Sequence, residues 1–213
     1  MKTELSRNYI SILHDGSPSF GGSQNWFSGM FKVCGCSIIG AADLLWYLAR
    51  RKTVSFQQYQ RYVGRLRRYF PMIPYRGVPG YLMPVFLNLF MFRKKMPYRA
   101  HWGAGSPGII KCVHRMLADD IPVPVCVGAC LHQFFKKPLY RGLKLYKKNP
   151  GSGEPYLWVK TVRNHFMVIT GMDGKWARIS SWGEEYYIDL TEYVKLSRGD
   201  VFGIFTNIIR ISS

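Results

Sequence analysis

Cys36 stands directly after Gly35 and before Ser37-Ile38-Ile39-Gly40-Ala41-Ala42-Asp43-Leu44-Leu45, a run of small and apolar residues that predicts a buried helix. A thiol at the N-terminus of such a helix faces open backbone N–H groups and the positive end of the macrodipole, and both favour the thiolate. A thiolate with a base beside it is a nucleophile for carbonyl carbon. The candidate base is His165, 129 residues further on, at the head of the apolar run Phe166-Met167-Val168-Ile169. In a strand, His165, Met167 and Ile169 share one face. A histidine at the start of an apolar strand also reads as a satisfied core residue. Its chemistry comes from the return strand, Trp176-Ala177-Arg178-Ile179-Ser180-Ser181-Trp182-Gly183, which brings two serines and a tryptophan back opposite it. Gln24 and Trp26 sit upstream of Cys36, in the glycine-led loop that starts at Gly21-Gly22.

The elements that must position these side chains fall into two blocks. Residues 1–20, polar and turn-rich, are expected to wrap the surface irregularly. Helices are predicted over 37–51, 56–69, 81–95 (the more buried one) and 106–117, the last with Ser106 as N-cap and Pro107 at the first helical position. From Ile121 the pattern changes to period two and short apolar runs. Strands are expected at 121–127, 143–146, 156–161, 165–172, 176–181, 186–190 and 201–211, with Asp173-Gly174 as a hairpin turn. Helices first and mostly antiparallel strands second is an α+β layout. We expect one domain over 1–213, with a helical half (1–120) carrying the thiol and a β half (121–213) carrying the histidine.

Composition narrows the class. With 213 residues, 47% of them hydrophobic and 15% aromatic, the chain can bury a sizeable core and does not read as disordered. The longest apolar run, 81–92, is broken by Pro84 and Asn88 and is too short to span a bilayer, so no membrane insertion is expected. The first ten residues carry Lys2, Glu4 and Arg7 and no apolar core of a signal peptide. Five cysteines without an export signal point to free thiols in a reducing cytoplasm.

The formal charge is +18, and the span from Leu44 to Met116 holds fourteen Lys and Arg and no acid. That reads either as a surface for an acidic peptide, nucleic acid or phospholipid, or as a solvated helical face. Two other patterns carry less. Gly103-x-Gly105-x-x-Gly108 matches a dinucleotide fingerprint by letter but lacks its preceding strand and its downstream acid. Cys112, His114, Cys126, Cys130 and His132 match no common zinc spacing, so no metal and no cofactor is expected.

Gln24, then Gly35-Cys36, then His165-Phe-Met-Val-Ile-Thr-Gly-Met-Asp-Gly, then Ser180-Ser181-Trp182-Gly183 resembles, in that order, the papain-like cysteine peptidase superfamily. The resemblance is to its bacterial branch around the double-glycine (bacteriocin leader) peptidases and a group of uncharacterised bacterial proteins there. It implies a papain-like α+β fold with a cleft between the halves. It further implies Cys36 as nucleophile, His165 as general base, Gln24 with the Cys36 N–H as oxyanion donors, and Trp182 as a shield over the imidazole. Trp26 and Trp182 are the implied substrate-contacting aromatics.

The sequence departs from that family in three places. The twelve-residue step from Gln24 to Cys36 is longer than the family pattern, so residues 27–33 are expected to bulge. Ser37 follows the nucleophile where related proteins have glycine. A serine stands where Asn or Asp orients the histidine: counting from His165 gives Ser181, counting back from Trp-Gly gives Ser180, and strand parity favours Ser181. A serine brings no negative charge to hold an imidazolium. The expected function is therefore a thiol hydrolase acting on a peptide or related amide, with acidic substrates favoured by the basic helical half. A catalytically weak or inactive papain-like binding protein and a basic anion or nucleic-acid binder stand as alternatives.

Overall fold

The computed structural model describes residues 2–103, 108–128, 142–149, 156–199 and 203–213. In chain order the strands and helices are β1 (Lys2–Glu4), β2 (Ser11–His14), β3 (Ser17–Pro18), α1 (Gly29–Cys34), α2 (Cys36–Leu48), β4 (Thr53–Ser55), α3 (Phe56–Leu66), α4 (Met83–Arg93), β5 (Arg99–Trp102), α5 (Ile109–Ala118), β6 (Val123–Val127), β7 (Leu143–Lys148), β8 (Tyr156–Val162), β9 (His165–Asp173), β10 (Trp176–Ser181), β11 (Glu184–Asp189), α6 (Leu190–Gly199) and β12 (Asn207–Ser212).

Among the described residues the main sheet runs β5-β12-β6-β9-β10-β11-β7-β8, with β1 also paired to β9. Its pairings are antiparallel. Strand β9 is its centre. Eight consecutive residues, His165 to Met172, are buried, because α2 and α5 pack against a strand that already has neighbours on both edges. That is why it reads as a continuous apolar run and not as an alternation.

Helix α2 lies against β9 through its small residues. A Cβ on Gly40 would stand 2.5 Å from the Phe166 ring, so glycine is what lets the two backbones approach. Helix α3 starts at a capping box in which Ser55 and Gln58 exchange side-chain and backbone hydrogen bonds. It buries Tyr59, Val63 and Leu66, one face of an amphipathic helix.

Several expectations are corrected. The first twenty residues are not irregular: β1 adds to the main sheet, and β2 pairs with β3 and β4 in a small second sheet. Short strands with few apolar residues leave no periodicity to read. The segment after Gln24 does not simply bulge but folds into the short helix α1. The hairpin loop is Gly174-Lys175, closed by the Asp173–Trp176 pair, with Gly174 at φ +56°. Strand β5 and helix α6 are additional. The helix over 81–95 is not wholly buried, since Val85, Leu89 and Phe92 face solvent. Ser106 and Pro107 lie outside the described residues, as do Gly105, Cys130, His132 and the start of the strand expected at 201.

Candidate active site

The fold brings Cys36, Gln24, Asp43, His165, Ser181 and Trp182 to the wall of one narrow cavity of about 10 Å³, the threshold for a single water. Cys36 begins α2, where Gly35 forms the cap without using a side chain. Its thiol has the backbone N–H groups of Phe166 and Ser37 within hydrogen-bonding reach. The sulfur therefore sits beside the strand residue that follows His165. Burial nevertheless pushes the thiol up to about 11, outweighing those two N–H groups and the N–H of Cys36 itself. This runs against the expectation of a helix-stabilised thiolate: desolvation of the half-buried thiol exceeds what the helix end supplies.

His165 opens β9, and its Nε2 lies 2.7 Å from the Ser181 hydroxyl. Strand β10, antiparallel to β9, carries Ser181 at its end. The adjacent Ser180 also lines the cavity, but its hydroxyl donates to the Phe20 carbonyl at 2.8 Å. Burial, and secondarily the charge of Lys160, lower the His165 pKa to about 3. At neutral pH the thiol and the imidazole are thus both uncharged.

Trp182 and Gly183 form the two-residue turn between β10 and β11, closed by the Ser181–Glu184 pair. Both residues have positive φ, +52° and +80°. A type I′ hairpin turn requires that of both central residues. Glycine adopts it freely, whereas a tryptophan there costs about 1–3 kcal/mol. The conformation lays the Trp182 ring flat on His165, with centroids 4.1 Å apart and planes 11° from parallel. Lys160 Nζ sits 3.4 Å from the Trp182 ring centroid. Two groups this near one ring must take opposite faces, so Trp182 is clamped between a cation and the imidazole.

Gln24 lines the cavity, but its amide Nε2 donates to the carbonyls of Lys32 at 2.8 Å and Val33 at 3.3 Å, both on α1. Its buried Oε1 has no partner. Trp26 does not line the cavity. It stacks on His14 at 4.5 Å and packs edge-on to Phe56. A Cβ on Gly183 would meet it at 2.8 Å. Trp26 thus braces the Trp182-Gly183 turn from outside.

Two residues of the site escaped the sequence reading. Asp43, two turns along α2 from Cys36, is buried and accepts hydrogen bonds from the Tyr59 hydroxyl (2.6 Å) and the Gly22 N–H (2.9 Å). Burial raises its pKa to about 7 against those bonds. It ties α2 to the loop leading to Gln24. A lone acid inside an apolar helix was the available signal. Lys160 on β8 gave none, because strand pairing alone sets its place.

Of the residues once considered for a metal, His114 bonds Thr3 through Nδ1 at 2.9 Å. Among the described residues no group of three or more His, Cys, Asp or Glu is placed to hold a metal ion. Cys34, Cys36 and Cys112 are free thiols.

Mixed helices and antiparallel sheet define an α+β fold, and a solved structure has a like fold. That structure is the crystal structure of a "putative C39-like peptidase from Bacillus anthracis", with a TM-score of 0.53 and 14% identity over 100% of this chain and 98% of that one. No protein-family model matches the chain, and no curated protein matches it.

Proposed function

We propose that the chain is a thiol hydrolase of the cysteine peptidase kind, acting on a peptide or related amide. The observation that carries the reading is the shared cavity of Cys36 and His165, with Ser181 bonded to Nε2 and Trp182 stacked on the ring. The like fold of the "putative C39-like peptidase" supports it.

With Nε2–H donating to Ser181, the His165 Nδ1 lone pair is left for the thiol proton. Because both groups rest uncharged, proton transfer from Cys36 Sγ to Nδ1 accompanies attack and does not precede it. The sulfur forms a bond to the carbonyl carbon, and the carbonyl pair moves onto oxygen. The Cys36 backbone N–H stabilises that oxyanion. Gln24 joins it by exchanging its longer contact, to the Val33 carbonyl, for the oxyanion. The tetrahedral adduct collapses, the C–N bond breaks, and the leaving amine takes the proton from His165. Water, deprotonated by His165, then hydrolyses the thioester and restores the thiol. Slow turnover follows from the uncharged pair and the serine.

The uncharged pair also favours a second reading, a papain-like binding protein with a silent site. Mass spectrometry of the protein incubated with peptide thioesters and amides separates the two. The hydrolase gives an acyl adduct on Cys36 and released acid, both absent in Cys36→Ala with the fold intact. Turnover retained by Cys36→Ala, or an adduct on another thiol, refutes the assignment. Folded protein that binds peptide without any adduct establishes the silent site.

A further inference from the structure

Helix α4 buries Met83, Leu87, Phe90 and Met91 and leaves its opposite face bare. Val85 is 59% exposed, Leu89 42% and Phe92 70%, with Tyr81 at 40% one turn earlier. Steps of four and three residues put Val85, Leu89 and Phe92 in one stripe along α4, and Tyr81 precedes it in a 3-10 turn. The stripe runs into Arg93-Lys94-Lys95, all exposed. The Arg93 guanidinium lies 5.5 Å from the Tyr69 ring, which places it beside the C-terminal end of α3. Around that end Arg61, Arg65, Arg67 and Arg68 are exposed as well. No acidic side chain occurs from residue 44 to 116 to neutralise them.

An exposed apolar stripe edged by cations needs an occupant that is anionic at its surface and apolar just beneath. We propose that α4 docks on an anionic lipid surface, lying in the plane of the interface, with Val85, Leu89 and Phe92 at the headgroup–acyl boundary and the basic side chains against the phosphates. At eleven residues α4 is about 16 Å long, enough to lie on a membrane and too short to cross one. Among the described residues no helix is long and apolar enough to cross a membrane.

A second copy of the chain fits the stripe poorly, because pairing would bring two uncompensated basic surfaces together. Nucleic acid uses the cations but leaves the aliphatic Val85 and Leu89 without a function, since they offer no ring on which bases stack. The docking surface stands independently of the hydrolase reading, for it uses no residue of the cavity.

The test is co-sedimentation of the full chain with vesicles of phosphatidylglycerol and phosphatidylcholine, against phosphatidylcholine alone, at physiological salt. Binding is expected on the anionic vesicles only. Arg93→Gln/Lys94→Gln/Lys95→Gln should weaken it on the order of 100-fold. Leu89→Ser/Phe92→Ser should weaken it by about tenfold or more, with unchanged circular dichroism. Val85→Gln gives the same reading should the double variant fail to fold.

Equal binding to neutral vesicles overturns the proposal, as does a double serine variant that binds like the parent. Duplex DNA held more tightly than vesicles, lost in the triple variant and kept in the double one, makes the face a nucleic-acid surface instead. A dimer in sedimentation velocity that the double variant dissociates makes it a self-association face.

Discussion

Helices α2 and α4 look alike in hydropathy and are used in opposite ways. In α2 eleven of thirteen residues are buried. In α4 the buried set is Met83, Pro84, Leu87, Phe90 and Met91, five of eleven. The difference lies in residue size and in what each helix meets. Gly40, Ala41 and Ala42 let α2 press onto β9, a strand buried along eight of its nine residues, with other elements covering its remaining faces. The large side chains of α4 pack on β5, at the sheet edge, where Asn88 clamps both backbone groups of Ala100. An edge strand offers cover on one side only. Mean hydropathy identifies a helix, while the count of small residues indicates how many of its faces are enclosed.

The enclosure of α2 is tested most strongly through its one acid. The Asp43 pKa rises from 3.8 unfolded to about 7 folded, through burial. Between those values the folded state holds a proton that the unfolded chain has released. Stability therefore falls as pH rises from about 4 to about 7, by about 4 kcal/mol if the shift is fully expressed. His165 works in the other direction: its folded pKa of about 3 lies below the ordinary 6.5, so its contribution is present above pH 6.5 and lost as pH falls toward 3. Asp43→Asn removes the first effect and keeps the second. Urea midpoints of parent and variant at pH 5 and pH 8 should show the variant losing less stability on going to pH 8. Identical pH dependence would mean that Asp43 is ionised throughout and α2 is better solvated than its burial implies.

The same contrast explains what could be read in advance. Cys36 at a helix start, and His165 with Ser181 on neighbouring strands, followed from small-residue runs and period two, which depend on local sequence. The charge state of Cys36 did not, because it depends on how tightly the cavity closes, and that is set by side chains from four separate segments. The Gln24 amide contacts with α1 were equally out of reach, since they depend on where a short helix of weak periodicity happens to fold. For α4 the apolar pattern was legible and its open face was not: apolar residues fell on both sides, and only the position of β5 at the sheet edge decides which side stays bare.

The close approach of α2 gives the next largest effect. Alanine is about 1 kcal/mol better than glycine in a helix interior, so propensity alone favours Gly40→Ala. A Cβ at 2.5 Å from the Phe166 ring reverses this, because the ring or the helix must move. Overpacking of that kind costs about 1–3 kcal/mol. A lower thermal midpoint is expected, together with a displaced His165 imidazole resonance, since Phe166 adjoins it in β9. A more stable variant would show that Phe166 turns aside freely and that α2 has slack against the sheet.

Phe92→Ser is the counterpart on the open face and should do least to the isolated protein. Removing a large aromatic from a core costs about 3–5 kcal/mol. With 70% of Phe92 exposed, little of that burial exists to be lost. The residue lies at the penultimate position of α4, where the weaker helix propensity of serine also counts for little. A change within about 0.5 kcal/mol in urea denaturation is expected. A loss of about 2 kcal/mol or more would mean that the stripe is covered within the chain itself, and the contrast between the two helices would then reduce to the difference in side-chain size.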